Sequence, residues 1–184
     1  MSQSAASDNA PSGIIRLRLR ELAQLFNSMD PSPFRDRDLD PDAEDFIVGR
    51  ARELPPTEDL VLVIHLATPL SGERAGETEE AVRNHFTERT ERKRREFRLL
   101  MRQGRVSLLV GLLFLTICLM IGNLLKNLGA TPLAGILQES FIIGGWVAMW
   151  RPLEIYLYDW WPLRAEYRVL SRLSRMQVRI MPLQ

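Results

Sequence analysis

The chain has 184 residues, a formal net charge of +1 and a single cysteine. This length accommodates one compact domain, or a small domain together with a membrane segment. The near-neutral charge argues against the basic surface of a nucleic-acid-binding protein, and we predict no nucleic-acid partner. With Cys118 alone, the chain has no intramolecular disulfide framework.

The N-terminal segment MSQSAASDNAPSG has neither a charged n-region nor an apolar h-region. It does not resemble a secretory signal peptide, and we predict a disordered tail over residues 1–13. Residues 15–20 then alternate isoleucine or leucine with arginine. This period of two predicts a strand with one solvated face.

A helix and a buried strand are predicted next. Asp40 is a candidate N-cap and Pro41 a candidate first helical residue, while Pro55-Pro56 ends the helix. Residues 60–66, LVLVIHL, form an apolar run typical of a strand covered on both faces. We therefore expect this strand at the centre of a sheet and the half-polar strands at its edges.

The first predicted membrane span follows a long helix that begins near Glu77. Residues 106–125, VSLLVGLLFLTICLMIGNLL, carry no charge, and about 20 helical residues cross roughly 30 Å of hydrocarbon. A buried core helix is a poor alternative, because a chain of this size cannot surround it on all faces. We predict a cytoplasmic α/β part with a long juxtamembrane helix over residues 14–104, a bend at Gly104, and the first transmembrane helix over residues 105–126.

A second span is predicted over residues 133–152, after an external turn over residues 127–132. Small residues provide a helix-packing face: Gly144, Gly145 and Ala148. Indole side chains favour the membrane interface: Trp146, Trp150, Trp160 and Trp161. A single span followed by an interfacial helix is the alternative.

The distribution of arginine predicts the orientation of the hairpin. Basic residues flank both spans on the sides of the termini, whereas the turn has Lys126 alone. This asymmetry predicts cytoplasmic termini and an external turn. Five arginines before the first span are candidate contacts for anionic lipid headgroups: Arg94, Arg95, Arg98, Arg102 and Arg105.

The C-terminal part is predicted to complete the soluble domain. Residues 153–184 form an interfacial helix, with a short helix opening at Pro162, and a last strand in which Val178 and Ile180 alternate with polar residues. The predicted fold is thus a two-span helical hairpin plus a small cytoplasmic α/β domain of about three strands, built from both termini.

Candidate chemical sites are few. The aspartates at every second position from 36 to 42 do not form an EF-hand, because Pro41 and Ile47 occupy the sixth and twelfth positions. His65 and His85 have no metal-ligand spacing, and we predict no catalytic, cofactor-binding or metal-binding residues. Asn123 and Glu139 are the intramembrane polar candidates, and Glu139 either pairs with Lys126 or has a function of its own.

Two stretches resemble a family of small bacterial inner-membrane proteins with no assigned function: LFNSMDPSPFRDRDLDPDAEDFIVGRARELP and GWVAMWRPLEIYLYDWWPL. The resemblance extends over residues 14–181. It implies a location in the bacterial inner membrane, where the two predicted spans make a multi-pass protein. It implies no activity, cofactor or catalytic residue.

The leading hypothesis is a non-enzymatic membrane scaffold or accessory subunit that assembles as a homo-oligomer or joins a larger membrane complex. One alternative is an oligomeric channel or transporter with Glu139 in its path. The other is a membrane-bound enzyme acting on lipid through Glu154 and Asp159 near Arg151.

Overall fold

The computed structural model describes residues 13–127 and 132–183. Most of the predicted disordered tail and most of the predicted external turn lie outside these residues. The described chain is mostly helical and contains a sheet of three strands. It divides into two compact units, Met1–Arg92 with Glu166–Gln184 and Lys93–Ala165.

The first unit is an α/β unit drawn from both ends of the chain. It contains β1 (Ile14–Leu19), α1 (Pro41–Glu53), β2 (Val61–Leu66), the beginning of α2 (Gly72–Asn127), the end of α5 (Trp160–Leu173) and β3 (Gln177–Pro182). The second unit contains the rest of α2, α3 (Pro132–Ala148), α4 (Trp150–Glu154), a π-helical turn (Ile155–Asp159) and the start of α5.

The sheet is parallel, with β2 between β1 and β3. Val61 is paired with Ile14 on one side and with Gln177 on the other. The predicted three-stranded sheet is confirmed, with the apolar strand at its centre. Parallel neighbours require long crossover connections; α1 lies in the first, and the whole of α3 and α4 lies in the second.

The core of the first unit packs against β2, whose Leu62 and Ile64 are fully buried. In α1, Ala43, Ile47 and Ala51 recur at helical spacing, and all three are buried. Other helices contribute further buried side chains: Val82 and Phe86 from α2, and Leu170 and Leu173 from α5. The predicted cap of α1 is also present, because the Asp40 side chain accepts a 3.0 Å hydrogen bond from the Asp42 N–H.

The second long helical stretch differs from the prediction. Helix α3 ends at Ala148, and α5 begins at Trp160 rather than at Pro162. Pro152 has no N–H for the Ala148 carbonyl, which accounts for the break after α3. The π-helical turn precedes Pro162, and the Trp160 indole there donates a 2.8 Å hydrogen bond to the Tyr156 carbonyl.

Two helical stretches are long and apolar enough to cross a membrane by length and composition: Gly72–Asn127 and Pro132–Leu173. Their large apolar side chains are not covered by this chain. Leu109 is 69% exposed, Met120 68% and Leu133 66%. A helix in the core of a soluble protein would have buried these groups.

Candidate functional site

Helix α2 meets the stretch from α3 to the π-helical turn along a row of glycines. The glycines are separated by 7 and 11 residues, which are close to whole numbers of helical turns. They therefore lie on one face of α2: Gly104, Gly111 and Gly122. A Cβ added at Gly111 would lie 3.1 Å from the Met149 sulfur and 3.2 Å from the Ala148 carbonyl oxygen. The two backbones therefore approach closely, as small residues allow between apolar helices.

The predicted packing residues divide between two faces of α3. Gly145 is buried, and a Cβ there would lie 2.8 Å from Leu115 Cδ1 and 3.1 Å from Cys118 Cβ. Gly144 has open space at its Cβ position and faces away from α2. The two glycines therefore occupy different faces of α3, because adjacent residues lie about 100° apart on a helix.

Four arginines of α2 form one face of that helix. Arg95, Arg98, Arg102 and Arg105 recur at i, i+3, i+7 and i+10, so they lie close to a single line along the helix. They line a groove of about 640 Å³ together with Phe97, Leu99 and Met101. Arg94, the fifth predicted headgroup contact, is exposed and is not part of the groove lining. We call this groove the arginine groove.

The positive charges of the arginine groove are not compensated within the described residues. Nearby basic residues do have acidic partners: the distance from Arg92 to Glu88 is 3.0 Å and that from Lys93 to Glu96 is 2.9 Å. None of the four groove arginines forms such an ion pair in the described part of the chain. Uncompensated guanidinium groups attract anions from outside the molecule.

Aromatic side chains lie at the same level of the second unit as the groove. A Cβ at Gly104 would lie 2.9 Å from Ile155 Cγ2 and 3.4 Å from the Tyr156 ring, which fixes the π-helical turn beside this part of α2. The predicted interface indoles are largely solvent-facing: Trp146 and Trp161 are each 64% exposed and Trp150 is 71% exposed. Trp160, the fourth, stacks beneath the Arg164 guanidinium at 5.4 Å.

The three residues of the lipid-enzyme hypothesis do meet. The Arg151 Nη1 atom lies 2.8 Å from Glu154 Oε2 and 3.4 Å from Asp159 Oδ2. The wider π-helical turn lets Asp159 return to the face of Arg151. Both carboxylates are thereby engaged by one guanidinium, which offsets one of their two negative charges.

Asn123 and Glu139 are both exposed on the apolar helices. Lys126 is exposed too, and no ion pair joins it to Glu139 within residues 13–127 and 132–183. The predicted Lys126–Glu139 pair is therefore not formed in this structure. An uncompensated carboxyl group on an apolar helix is costly to place in hydrocarbon.

The first unit contains a buried polar cluster that sequence spacing did not reveal. The His85 ring on α2 is 3% exposed, with Asp38 Oδ1 3.0 Å from Nδ1 and Glu44 Oε2 3.2 Å from Nε2. Arg89 donates two hydrogen bonds to the other oxygen of Glu44. The partners are more than 40 positions apart in sequence, so no local motif could indicate them.

This cluster joins α1 to α2 through Glu44. Burial alone would raise the pKa of Glu44, but hydrogen bonds from His85 and Arg89 outweigh burial and hold that pKa below its ordinary value of 4.5. The described residues contain no group of three or more acidic, histidine or cysteine side chains arranged to hold a metal ion. We therefore interpret the cluster as a stabilising contact between α1 and α2.

Comparison with known proteins adds no relative: no family model, curated protein or solved structure matches the chain. The protein can therefore be classified by its structure alone: it has two long apolar helical stretches and a small α/β unit.

Proposed function

We propose that this protein is a non-enzymatic integral membrane scaffold or accessory subunit of the bacterial inner membrane that self-associates. The observation that carries the proposal is the second unit. Its apolar side chains are exposed along α2 and α3, and the arginines of α2 lie at the same level as the aromatic residues of the π-helical turn. Such a surface is stable in hydrocarbon bounded by headgroups.

The length of the apolar region supports a full crossing. Residues 106–125 extend about 30 Å as a helix, which matches the hydrocarbon core. At their start, Gly104 contacts Ile155 and Tyr156, so the arginines of α2 and the tyrosines of the π-helical turn mark one boundary. At the other end of this apolar region, the basic residue in the described chain is Lys126. By the positive-inside rule, both termini face the cytoplasm.

Two features support self-association. The Gly144 side of α3 has open space against which another helix can pack closely. The outer edges of β1 and β3 have no strand partner in the described chain, and such edges accept additional strands. A second copy of the chain satisfies both features.

The mass of the full chain in lipid nanodiscs tests self-association. Light scattering on a sizing column should give a discrete multiple of the 21.2 kDa chain after subtraction of the lipid and belt protein. A monomer at all concentrations would contradict the self-associating scaffold. It would leave an accessory role in a complex with other proteins, which affinity purification from membranes detects.

Site-directed labelling tests the membrane topology. In a Cys118→Ser background, we expect Asn127→Cys to react with an impermeant maleimide added to intact spheroplasts. Thr87→Cys should react only after the membrane is broken. Labelling of both positions in intact spheroplasts, or of neither, would contradict the proposed hairpin.

A channel is the second candidate, favoured by the uncompensated Glu139 on α3. In an oligomer, Glu139 and Asn123 would provide polar groups to a shared path. The test is ion flux in reconstituted vesicles, compared between the wild type and Glu139→Gln. Flux that is present and reduced by the substitution supports the channel, whereas flux that is absent or unchanged removes it.

A further inference from the structure

We propose that the arginine groove is a binding site for one lipid that carries two phosphates. The proposal rests on the membrane placement proposed above and deepens it, because it assigns a lipid class to one defined face of α2. The groove lies immediately before the apolar residues 106–125, where lipid phosphates and the first part of the acyl chains are found.

The spacing of the arginines favours two phosphates over one. They form two pairs, each at i and i+3: Arg95 with Arg98, and Arg102 with Arg105. Corresponding members are seven residues apart, about 10 Å along the helix axis. A guanidinium binds phosphate through two parallel hydrogen bonds, so each pair can surround one phosphate. Two phosphates joined by a short polar linker match this arrangement.

The remaining lining favours a lipid over a nucleic acid. Apolar side chains flank the arginines on both sides: Leu99, which is 63% exposed, on one side and Phe97 and Met101 on the other. These flanking side chains together are called the apolar wall of the groove. An acyl chain gains from covering such a wall. A single-stranded nucleic acid requires several aromatic faces for base stacking, and the groove has Phe97 alone among its lining residues.

The four groove arginines have no acidic partners in the described residues. They are therefore available to bind the phosphates of one lipid specifically, beyond the general attraction of a basic protein to a charged membrane. Arg92 and Lys93, one turn earlier, are neutralised by Glu88 and Glu96. The four charges of the arginine groove therefore remain for a ligand to neutralise. A dianionic headgroup neutralises more of it per molecule than a monoanionic one.

Native mass spectrometry of the full chain in neutral detergent, titrated with defined lipids, tests the proposal. The probes are tetraoleoyl cardiolipin, which has two phosphates, and dioleoyl phosphatidylglycerol at twice the molar concentration, so that the charge is equal. We expect one retained cardiolipin per chain and at least tenfold weaker retention of phosphatidylglycerol. The Arg98→Gln/Arg102→Gln variant should bind cardiolipin at least tenfold more weakly.

Two further variants separate the site from general electrostatics. Arg83→Gln/Arg94→Gln removes the same charge from exposed positions outside the groove and should bind within twofold of the wild type. Arg98→Lys/Arg102→Lys keeps the charge but removes the bidentate geometry, and we expect it to bind more weakly than the wild type. Circular dichroism verifies that all three variants remain folded.

Equal retention of the two lipids at matched charge would overturn the proposal, as would equal losses in the groove variant and the outer variant. Displacement of cardiolipin by an RNA oligonucleotide of equal charge would replace lipid with nucleic acid as the ligand. The same spectra report the number of chains in each complex. A monomer that retains one cardiolipin therefore contradicts self-association while supporting the lipid site.

Discussion

At the scale of single residues, polar side chains stabilise the first unit through contacts that the local sequence does not indicate. Glu44 accepts hydrogen bonds from Arg89 and lies 3.2 Å from the His85 ring. Arg172 on α5 donates hydrogen bonds to the carbonyls of Pro55 at 2.6 Å and Glu58 at 3.1 Å. In each case the partner is distant in sequence.

Glu44→Gln should lower the free energy of unfolding of the first unit by about 1–3 kcal/mol at pH 7, since it removes the charged partner of Arg89 and one of the two carboxylates beside His85. Asp45→Asn is the matched control, because Asp45 is exposed on the same helix and should change stability by less than about 0.5 kcal/mol. Pulse proteolysis of the full chain in detergent at increasing urea measures both. Equal losses of stability in the two variants would contradict a stabilising role of Glu44 between α1 and α2.

The same carboxyl group predicts a dependence on pH. The pKa of Glu44 is lower in the folded chain than its ordinary value of 4.5. Its stabilising effect is therefore fully present above pH 4.5 and is lost as the pH falls through the lower, folded pKa. In urea titrations below pH 4.5, the wild type should lose stability more steeply than Glu44→Gln. Parallel curves for the two proteins would show that Glu44 does not contribute.

At the scale of elements, glycines position the helices of the second unit, because a residue without a side chain lets two helices approach closely. Gly145 brings α3 against Leu115 and Cys118, and Gly111 brings α2 against the end of α3. Between apolar helices in lipid, close packing replaces the hydrophobic effect as the source of association. The adjacent Gly144 is also a glycine, but its Cβ position has open space instead of a packed neighbour.

Gly145→Val should therefore destabilise the helix pair by about 1–3 kcal/mol through overpacking against Leu115 and Cys118. Gly144→Val is the control, because it has the same helix propensity and open space at its Cβ position. Thermal unfolding in detergent, followed by the fluorescence of Trp146 and Trp150, compares the two. A larger loss for Gly144→Val would contradict the observed packing, whereas altered oligomer mass in that variant would support self-association through the outer face.

At the scale of the whole molecule, the parallel sheet closes only after the chain has passed through the entire second unit. Strand β3 pairs with β2 across more than 100 intervening residues. Val178 of β3 is 5% exposed in the core, while its neighbour Arg179 is exposed. Strand β1 thus shares a core with β3, although the two strands are far apart in sequence.

Val178→Asn should destabilise the sheet as a unit by about 1–3 kcal/mol, because it buries an amide without a partner. Arg179→Asn introduces the same residue on the exposed side of β3 and should change little. Hydrogen exchange of the β1 and β2 amides in the full chain is the measurement. Faster exchange limited to β3 would contradict a cooperative sheet that includes both ends of the chain.

The sequence by itself determined the elements whose physical causes are local. Alternation identified the two edge strands and an apolar run identified the central one. The Asp40 cap indicated the start of α1, and an uncharged run identified the first long apolar helix. These follow from burial of alternating or helically spaced side chains and from the length of a helix.

The tertiary structure decided every feature that depends on partners distant in sequence. It joined His85 to Glu44, selected Gly145 over Gly144 for the contact with α2, and separated Lys126 from Glu139. It also divided the predicted arginines into four that share a groove and one that does not. Spacing along the chain determines which face of an element a residue occupies, but only packing determines what meets that face.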